Sequence, residues 1–198
     1  MINGINSREM ILEILLEIEE GEHSHVAIRN ALSKYQFLPK QDRAFITRVC
    51  EGTLEYRIQI DYIINSFSKV TVDKMKPAIR EILRSAVYQL KYMDSVPDSA
   101  VCNEAVKLAQ RKGFYNLKPF VNGVLRTIAR EMDQVRFPQK EDDLLKYLSV
   151  KYSMPEVLVT RWLEAYGEET TEKILADFLT EHPLTIRCRT YLNSKERL

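Results

Sequence analysis

The sequence predicts an all-α protein, with strand character confined to its last residues. Along most of its 198 residues, apolar side chains recur at intervals of three and four positions, which is the spacing of amphipathic helices. Only six Gly and seven Pro occur, which favours long regular elements over a turn-rich β architecture. Hydrophobic residues make up 45% and charged residues 29%, so the chain can form the core of one or two globular domains.

The first two helices are predicted from signals at their ends. Asn6 followed by Glu9 has the pattern of a capping box, and Gly21 ends the apolar stripe that comes next. That stripe consists of Met10, Ile11, Ile14, Leu15 and Ile18. A second helix is expected from about Ser24 to Tyr35.

The segment from Pro39 to Phe67 predicts either two helices or one long bent helix. Its apolar positions are Phe45, Ile46, Val49, Leu54, Ile60, Ile63, Ile64 and Phe67. Gly52 is a candidate for close approach by another helix, because it has no side chain. The helix after Asp73 is the clearest, since its apolar spacing continues over five turns. Pro77 falls in its first turn, where a missing N–H is tolerated.

Two further helices complete this part of the chain. The turn at residues 94–99 precedes a helix that Asp98 or Ser99 can cap and that Gly113 ends. The next helix, "NLKPFVNGVLRTIARE" (116–131), has two different faces. Its apolar face comprises Leu117, Phe120, Val121, Val124, Leu125, Ile128 and Met132.

The second face of this helix is a polar, mostly basic row with one residue in every four. This basic row consists of Lys118, Asn122, Arg126 and Arg130. Gly123 lies between the two faces, where a missing side chain would let another helix or a ligand come close. Either the row binds a partner, or it is simply solvated and Gly123 serves helix packing. Residues 34–138 carry a net charge of +7, against +1 for the whole chain, so the basic excess lies in the same segment as the row.

Residues 136–143 mark a boundary, so we predict one domain at 1–138 and a separate segment at 139–198. Short helices are expected at about 142–150, 155–166 and 168–180. Trp162 and Tyr166 lie on one face of the middle helix and are assigned to its core. The stretch "HPLTIRCRTYLN" (182–193) alternates apolar and polar residues as a β-strand does. Because a single strand cannot satisfy its own backbone, the rest of a sheet is expected downstream.

The residues argue against several classes of function. Cys50, Cys102 and Cys188 are far apart and form no C-x-x-C, as expected for reduced thiols in a cytoplasmic protein. Neither G-x-G-x-x-G nor a P-loop occurs, and His23 and His25 lack the further ligands of a metal site. We expect no nucleophile–base pair, no signal peptide and no membrane-spanning segment, because the residues show no such pattern and the first apolar stripe becomes acidic. The sequence therefore predicts no catalytic, cofactor or metal site in this chain and no membrane partner.

Three stretches of the chain, residues 41–64, 79–113 and 120–131, together resemble a known family. They contain Asp42-Arg43, a Val96-Pro97 turn followed by Asn103-Glu104-Ala105, and Phe120-Val121-Asn122-Gly123. Over roughly residues 5–135 the chain is similar to the NusB fold. That fold is shared by the antitermination factor NusB and the N-terminal domain of Sun/Fmu-type (RsmB) ribosomal RNA cytosine-5 methyltransferases. The resemblance implies a bundle of two small helical subdomains.

The C-terminal segment, residues 155–198, is similar to the linker of these methyltransferases, in which a Trp-Leu helix leads to a Pro-Leu-Thr-x-Arg strand. This similarity favours the methyltransferase branch and implies an α+β subdomain that precedes a catalytic domain. The family's Gly-rich cofactor loop and Pro-Cys motif have no match here, so S-adenosylmethionine is expected only for a longer parent protein. The implied partners are small-subunit ribosomal RNA and the parent's own catalytic domain, and homodimerisation stays open.

The resemblance also indicates candidate RNA contacts. They are Arg8, Arg43, Arg48, Lys118, Asn122, Arg126 and Arg130. Arg126 replaces an acidic residue usual in NusB, and Arg8 stands among glutamates where NusB has an arginine-rich start. The leading hypothesis is the RNA-targeting domain of an enzyme. Two others are a stand-alone antitermination factor that binds RNA and a ribosomal protein, and a structural helical domain that docks on its own catalytic domain.

Overall fold

The computed structural model describes residues 6–180, and this part of the chain is helical throughout, with no strand. The helices are α1 Ser7–Glu19, α2 Ser24–Lys34, α3 Lys40–Glu55, α4 Arg57–Phe67, α5 Pro77–Tyr92, α6 Asp98–Arg111, α7 Lys118–Glu131, α8 Leu144–Lys151 and α9 Glu156–Phe178. The all-α prediction is confirmed. The strand predicted at 182–193 lies outside the described residues.

The start of α1 is capped as predicted, but only by half of the expected pair. The Asn6 Oδ1 atom accepts a hydrogen bond from the Arg8 amide at 2.9 Å, which satisfies one free donor of the first turn. The Glu9 carboxylate lies 3.5 Å from the Lys112 Nζ atom instead of returning to the Asn6 amide. Glu9 therefore links α1 to the end of α6 and does not complete a capping box.

Three other helix boundaries answer questions that the sequence left open. Residues 40–67 form two helices, α3 and α4, which meet at Tyr56. Pro97 occupies the N-cap of α6 without a side-chain hydrogen bond, so the cap predicted from Asp98 or Ser99 is wrong. Gly113 follows α6 with a φ of +86°, a conformation that glycine adopts without strain and that ends the helix as predicted.

Helix α5 lies at the centre of the core. It packs against five other helices, namely α1, α3, α4, α6 and α7. Nine of its 16 residues are buried, because neighbours surround most of its circumference. The apolar stripe predicted for this helix accounts for most of them, but Glu81, Ser85 and Gln89 are also buried.

The buried charge on α5 is paired. Glu81 is only 3% exposed, and one of its carboxylate oxygens lies 2.6 Å from the Arg84 guanidinium. Arg84 also reaches across to α4, where it donates two hydrogen bonds of 2.7 and 2.6 Å to the Asp61 carboxylate. Burial raises the pKa of the Glu81 carboxyl, and the charge of Arg84 opposes that rise. One arginine thus ties α4 to α5.

Helix α3 crosses α5 at Gly52, as the sequence suggested. A Cβ atom built at this glycine would collide with the ring of Tyr88, so only the missing side chain allows this spacing. Tyr88 belongs to a group of three rings with Tyr56 and Tyr92, whose centroids lie 4.3 to 6.4 Å apart. The close approach therefore seats an aromatic cluster at the α3–α5 crossing.

Helices α8 and α9 form a second, smaller core around Leu148, Val159 and Leu175. Helix α9 breaks at Gly167, where φ is +73°, so its two halves correspond to the two helices predicted at 155–166 and 168–180. The break brings the rings of Trp162 and Phe178 into parallel stacking at 5.7 Å. Tyr166 is 57% exposed, so its assignment to the core is wrong.

Polar contacts from α4 hold this second core against the first. The Gln59 Nε2 atom donates hydrogen bonds to the carbonyl oxygens of Val150 (3.1 Å) and Lys151 (3.2 Å). The Ile58 amide donates to the Ser153 hydroxyl at 3.0 Å. Carbonyl groups at the end of α8 have no hydrogen-bond donor within their own helix, so the Gln59 amide supplies that donor.

We predict that Gly52→Ala lowers the free energy of unfolding by about 1–3 kcal/mol, because the added methyl group overpacks the α3–α5 crossing. Gly123→Ala is the matched control, since an added Cβ there meets nothing within 4 Å. The control should raise stability by about 0.5–1 kcal/mol, the usual gain from alanine inside a helix. Urea unfolding of both variants measures the difference. Equal stability of the two variants would contradict the close approach.

We also predict that Arg84→Met lowers the free energy of unfolding by about 3 kcal/mol near neutral pH, because the Glu81 carboxylate is left buried without its cation. Without Arg84 the pKa of Glu81 rises further, so this carboxyl takes up a proton as the pH falls. The loss should therefore be smaller at about pH 5 than at about pH 8, as urea titrations at the two values would show. A loss that does not change with pH would mean that Glu81 is not the group left unpaired.

Candidate nucleic-acid interface

The basic row lies on the outer face of α7, as the sequence predicted. The inner face of the helix is buried through Val121, Val124, Leu125 and Ile128, and packs on α4, α5 and α6. On the outer face Arg126 and Arg130 are exposed, while Lys118 and Asn122 are half-buried. The row is therefore held on a well-packed helix and faces away from the core.

Within the row, one arginine is oriented by its neighbour. The Arg126 Nε atom donates a hydrogen bond of 3.0 Å to the Asn122 side-chain oxygen, one turn earlier. Among the described residues no carboxylate lies within ion-pair distance of Arg126 or Lys118, whereas Arg130 pairs with Glu131 at 2.6 Å. Asn122 thus fixes the direction of Arg126 without neutralising it, and the remaining guanidinium nitrogens stay available.

The surface beside Gly123 is open. A Cβ atom at this position would meet no other atom within 4 Å, so no helix of the described chain packs over it. The interpretation that Gly123 serves helix packing is therefore wrong. The glycine leaves a flat place next to Asn122 where the backbone of a ligand can approach α7.

Arg8 and Arg43 have structural contacts of their own. The Arg8 guanidinium carbon lies 5.2 Å from the ring centroid of Phe45, and Arg8 Nε is buried without a hydrogen-bond partner. Burial lowers the pKa of Arg8, and the charge of Glu104 opposes the shift. Arg43 donates a hydrogen bond of 3.1 Å to the Leu32 carbonyl, which joins α3 to α2. Both side chains hold helices together.

Arg48 is exposed on α3, whereas the basic row is on α7. It lines an open groove of about 650 Å³ together with the three clustered tyrosines and two carboxylates, Glu51 and Glu55. Burial and the charge of Glu51 raise the pKa of Glu55, as expected where acidic groups crowd one side of a groove. The contacts described above for Arg8 and Arg43 are with Phe45 and with the Leu32 carbonyl, and neither is with a residue of the basic row.

Sequence analysis missed a second basic feature at the junction of the two cores. Lys91, at the end of α5, lies with its Nζ atom 4.6 Å from the ring centroid of Phe137. These residues are 46 positions apart, and neither belongs to a motif. The sequence around Phe137 predicted a domain boundary. It did not predict that Lys91 would contact this ring.

Groups that would support catalysis or metal binding are sparse in the described part of the chain. Residues 6–180 contain no cluster of three or more His, Cys, Asp or Glu side chains that could hold a metal ion. In the same range no helix combines the length and the apolar character needed to cross a membrane. Burial raises the pKa of the Cys50 thiol, which keeps it protonated and unreactive.

Comparison with known proteins gives two groups of relatives, and residues 5–130 match the NusB family. The probable ribosomal RNA small subunit methyltransferase B of Bacillus subtilis is 34% identical over 91% of this chain. The match covers 40% of that protein, so the chain spans about two fifths of its length. The transcription antitermination protein NusB of Dictyoglomus thermophilum is 33% identical over 65% of this chain and 85% of its own length.

Solved structures show the same fold. The crystal structure of PH0851 superposes with a TM-score of 0.70 at 21% identity, over 90% of this chain and 40% of the other. The crystal structure of antitermination factors NusB and NusE in complex with dsRNA gives a TM-score of 0.58 at 21% identity, over 63% of this chain and 93% of the other. The first likeness extends through α8 and α9, whereas the second is limited to about the length of the first core.

The contacts of the arginines predict how each one affects stability. Arg8→Ala and Arg43→Ala should each lower the free energy of unfolding by about 1–2 kcal/mol, because a ring contact or a hydrogen bond is lost. Arg126→Ala should change it by less than about 0.5 kcal/mol, since its side chain is exposed and supports no other helix. Thermal and urea unfolding of the three variants test this division. A destabilised Arg126→Ala variant would mean that the row is structural.

Proposed function

Because the chain belongs to the NusB family, we propose that it is an RNA-binding region whose contact surface is the basic row on α7. We further propose that it is the N-terminal targeting part of an S-adenosylmethionine-dependent ribosomal RNA cytosine-5 methyltransferase in the cytoplasm. Residues 1–138 would bind small-subunit ribosomal RNA, and residues 139–198 would connect them to the catalytic domain. One observation carries the RNA proposal: Lys118 and Arg126 are cations with no carboxylate partner among the described residues, on the face of α7 that no other helix covers.

The chemistry of the row suits a phosphate backbone. Lys118 offers a compact ammonium group, and Arg126 offers a planar guanidinium that can bind two oxygens of one phosphate. Asn122 reduces the conformational freedom that Arg126 would lose on binding, because it already orients the side chain. The open surface at Gly123 allows a nucleotide backbone to lie close to the helix. A row of this kind positions an RNA strand without reading its sequence.

The extent of the similarity supports the enzyme branch. The methyltransferase relative matches 91% of this chain, including the α8–α9 segment, whereas the NusB relative matches 65%. In the proposal, the methyl transfer and the S-adenosylmethionine site belong to the portion of the relatives' length that this chain does not span. The present residues would bind and orient the RNA, and the Gln59 contacts would set the direction in which α8 and α9 lead away.

A stand-alone antitermination factor is the second candidate. The match to NusB proteins, which covers 85% of the Dictyoglomus protein, favours it. Such a factor would bind RNA together with a ribosomal protein. Purification of the native protein separates the candidates: a chain that carries a methyltransferase domain supports the enzyme, and a chain of this size that retains a ribosomal protein supports the factor.

We predict that Lys118→Glu combined with Arg126→Glu weakens binding to single-stranded ribosomal RNA at least about tenfold, because two phosphate contacts become repulsive. The slope of log affinity against log salt should also become shallower by about 1.4, or about 0.7 for each lost contact. Fluorescence anisotropy with a labelled oligonucleotide measures both quantities.

The matched control for this experiment is Lys69→Glu combined with Arg161→Glu. It makes the same change in net charge at two exposed positions outside the row. The control should bind RNA within about twofold of the unmodified chain. Unchanged affinity in the α7 variant, or an equal loss in the control, would remove the basic row as the contact surface.

A further inference from the structure

A small cavity lies where the two cores meet, and its lining carries positive charge. Its volume is about 270 Å³, close to the lower end of the range for small-ligand pockets. The first core contributes Gln59 and Lys91, α8 contributes Tyr147 and Lys151, and Phe137 of the connecting segment lies between them. No carboxylate of the described residues lines it. The cavity is therefore a basic, partly aromatic recess built from both modules.

Lys91 is the unusual group in this recess. Its ammonium lies 4.6 Å from the ring centroid of Phe137 and 5.4 Å from that of Tyr92. Within residues 6–180, no carboxylate lies within ion-pair distance of it, and burial lowers the pKa of this lysine. Contacts with two rings offset only part of the cost of removing an ammonium group from water. An anion in the recess would remove the rest of that cost.

Lys151 also lines the recess, but unlike Lys91 its charge is paired within the protein. Its ammonium lies 2.9 Å from a Glu172 oxygen and donates a hydrogen bond of 2.6 Å to the Tyr147 hydroxyl. It also lies over the rings of Tyr147 and Tyr152. Since Lys151 has its own partners, the uncompensated charge of the recess belongs to Lys91 alone.

The aromatic support under Lys91 is fixed in position. Phe137 stacks on Tyr62 with ring centroids 5.7 Å apart, and the Tyr62 hydroxyl donates a hydrogen bond of 2.7 Å to the Arg136 carbonyl. These contacts hold the connecting segment against α4. Arg136 is exposed and lines a neighbouring groove that also contains Asp142 and Asp143.

We propose that Lys91 binds a phosphate of the same RNA strand that contacts the basic row, so that one strand bridges the two cores. This inference rests on the function proposed above and extends it to a second site. Charge complementarity favours RNA, because the recess that holds the uncompensated Lys91 has no carboxylate of the described residues in its lining. A strand in the recess contacts both modules at once, and therefore holds α8 and α9 in a fixed direction while it is bound.

The test is Lys91→Met, which keeps the length of the side chain over the rings and removes the charge. Affinity for a single-stranded ribosomal RNA oligonucleotide should fall about three- to tenfold, and the salt slope should become shallower by about 0.7, the value for one phosphate contact. Lys91→Arg should keep both quantities within about twofold of the unmodified chain. Lys69→Met makes the same charge change at an exposed site and should leave both unchanged.

A second measurement reports on the bridge itself. RNA should slow amide hydrogen exchange in residues 136–147 of the unmodified chain and of Lys91→Arg, and should not do so in Lys91→Met. Thermal unfolding without RNA should show that Lys91→Met is at least as stable as the unmodified chain, because an uncompensated cation has been removed.

The outcomes separate this inference from the function on which it rests. If Lys91→Met keeps full affinity and the same salt slope while the α7 charge reversal abolishes binding, the bridge is wrong and the α7 interface stands. If the unmodified chain binds no RNA, both proposals fall. If inorganic phosphate at matched ionic strength slows exchange in residues 136–147 as much as RNA does, the recess is a site for free anions and the RNA assignment is overturned.

Discussion

The burial of α5 on nearly all sides is the constraint on which the rest of the structure depends. A helix that five others surround buries some of its polar side chains, and these are stabilised mainly by partners inside the protein, although the Gln89 Oε1 atom has none among the described residues. Glu81 is neutralised by Arg84, and the Ser85 hydroxyl donates to the Glu81 carbonyl at 2.8 Å. Gln89 in turn donates to the Ser85 carbonyl at 2.9 Å. The neighbours must also come close, and at Gly52 this is possible only without a side chain.

This central helix also decides which surfaces are free for function. Because α7 packs on α5 through its apolar face, the basic row has to face outward. Because α4 packs on α5, its Gln59 is held where it can reach the end of α8, and the second core is attached at a fixed point. Lys91 lies in the last turn of α5 at the same junction, which is why an uncompensated charge lies between the two modules.

The arginines of this protein share one side chain but have different contacts, which are set by their surroundings. Arg84 is 11% exposed and holds two carboxylates, so its charge is used within the protein. The Arg8 guanidinium lies over the Phe45 ring, and Arg43 donates a hydrogen bond to the Leu32 carbonyl of another helix. Among the described residues Arg126 has only an amide oxygen as a partner, so no carboxylate pairs with its charge. A list of basic residues therefore says little about binding until their contacts are known.

The sequence by itself determined the all-α class, the limits of most helices, the stop at Gly113, and the two faces of α7. Each of these follows from local periodicity or from the conformation that one residue type permits. Only the tertiary structure showed that Arg8 and Arg43 contact other helices, that Tyr166 is exposed and that α5 buries a charged pair. It also brought Lys91 to Phe137. Those outcomes depend on contacts between residues far apart in the chain, which no local pattern records.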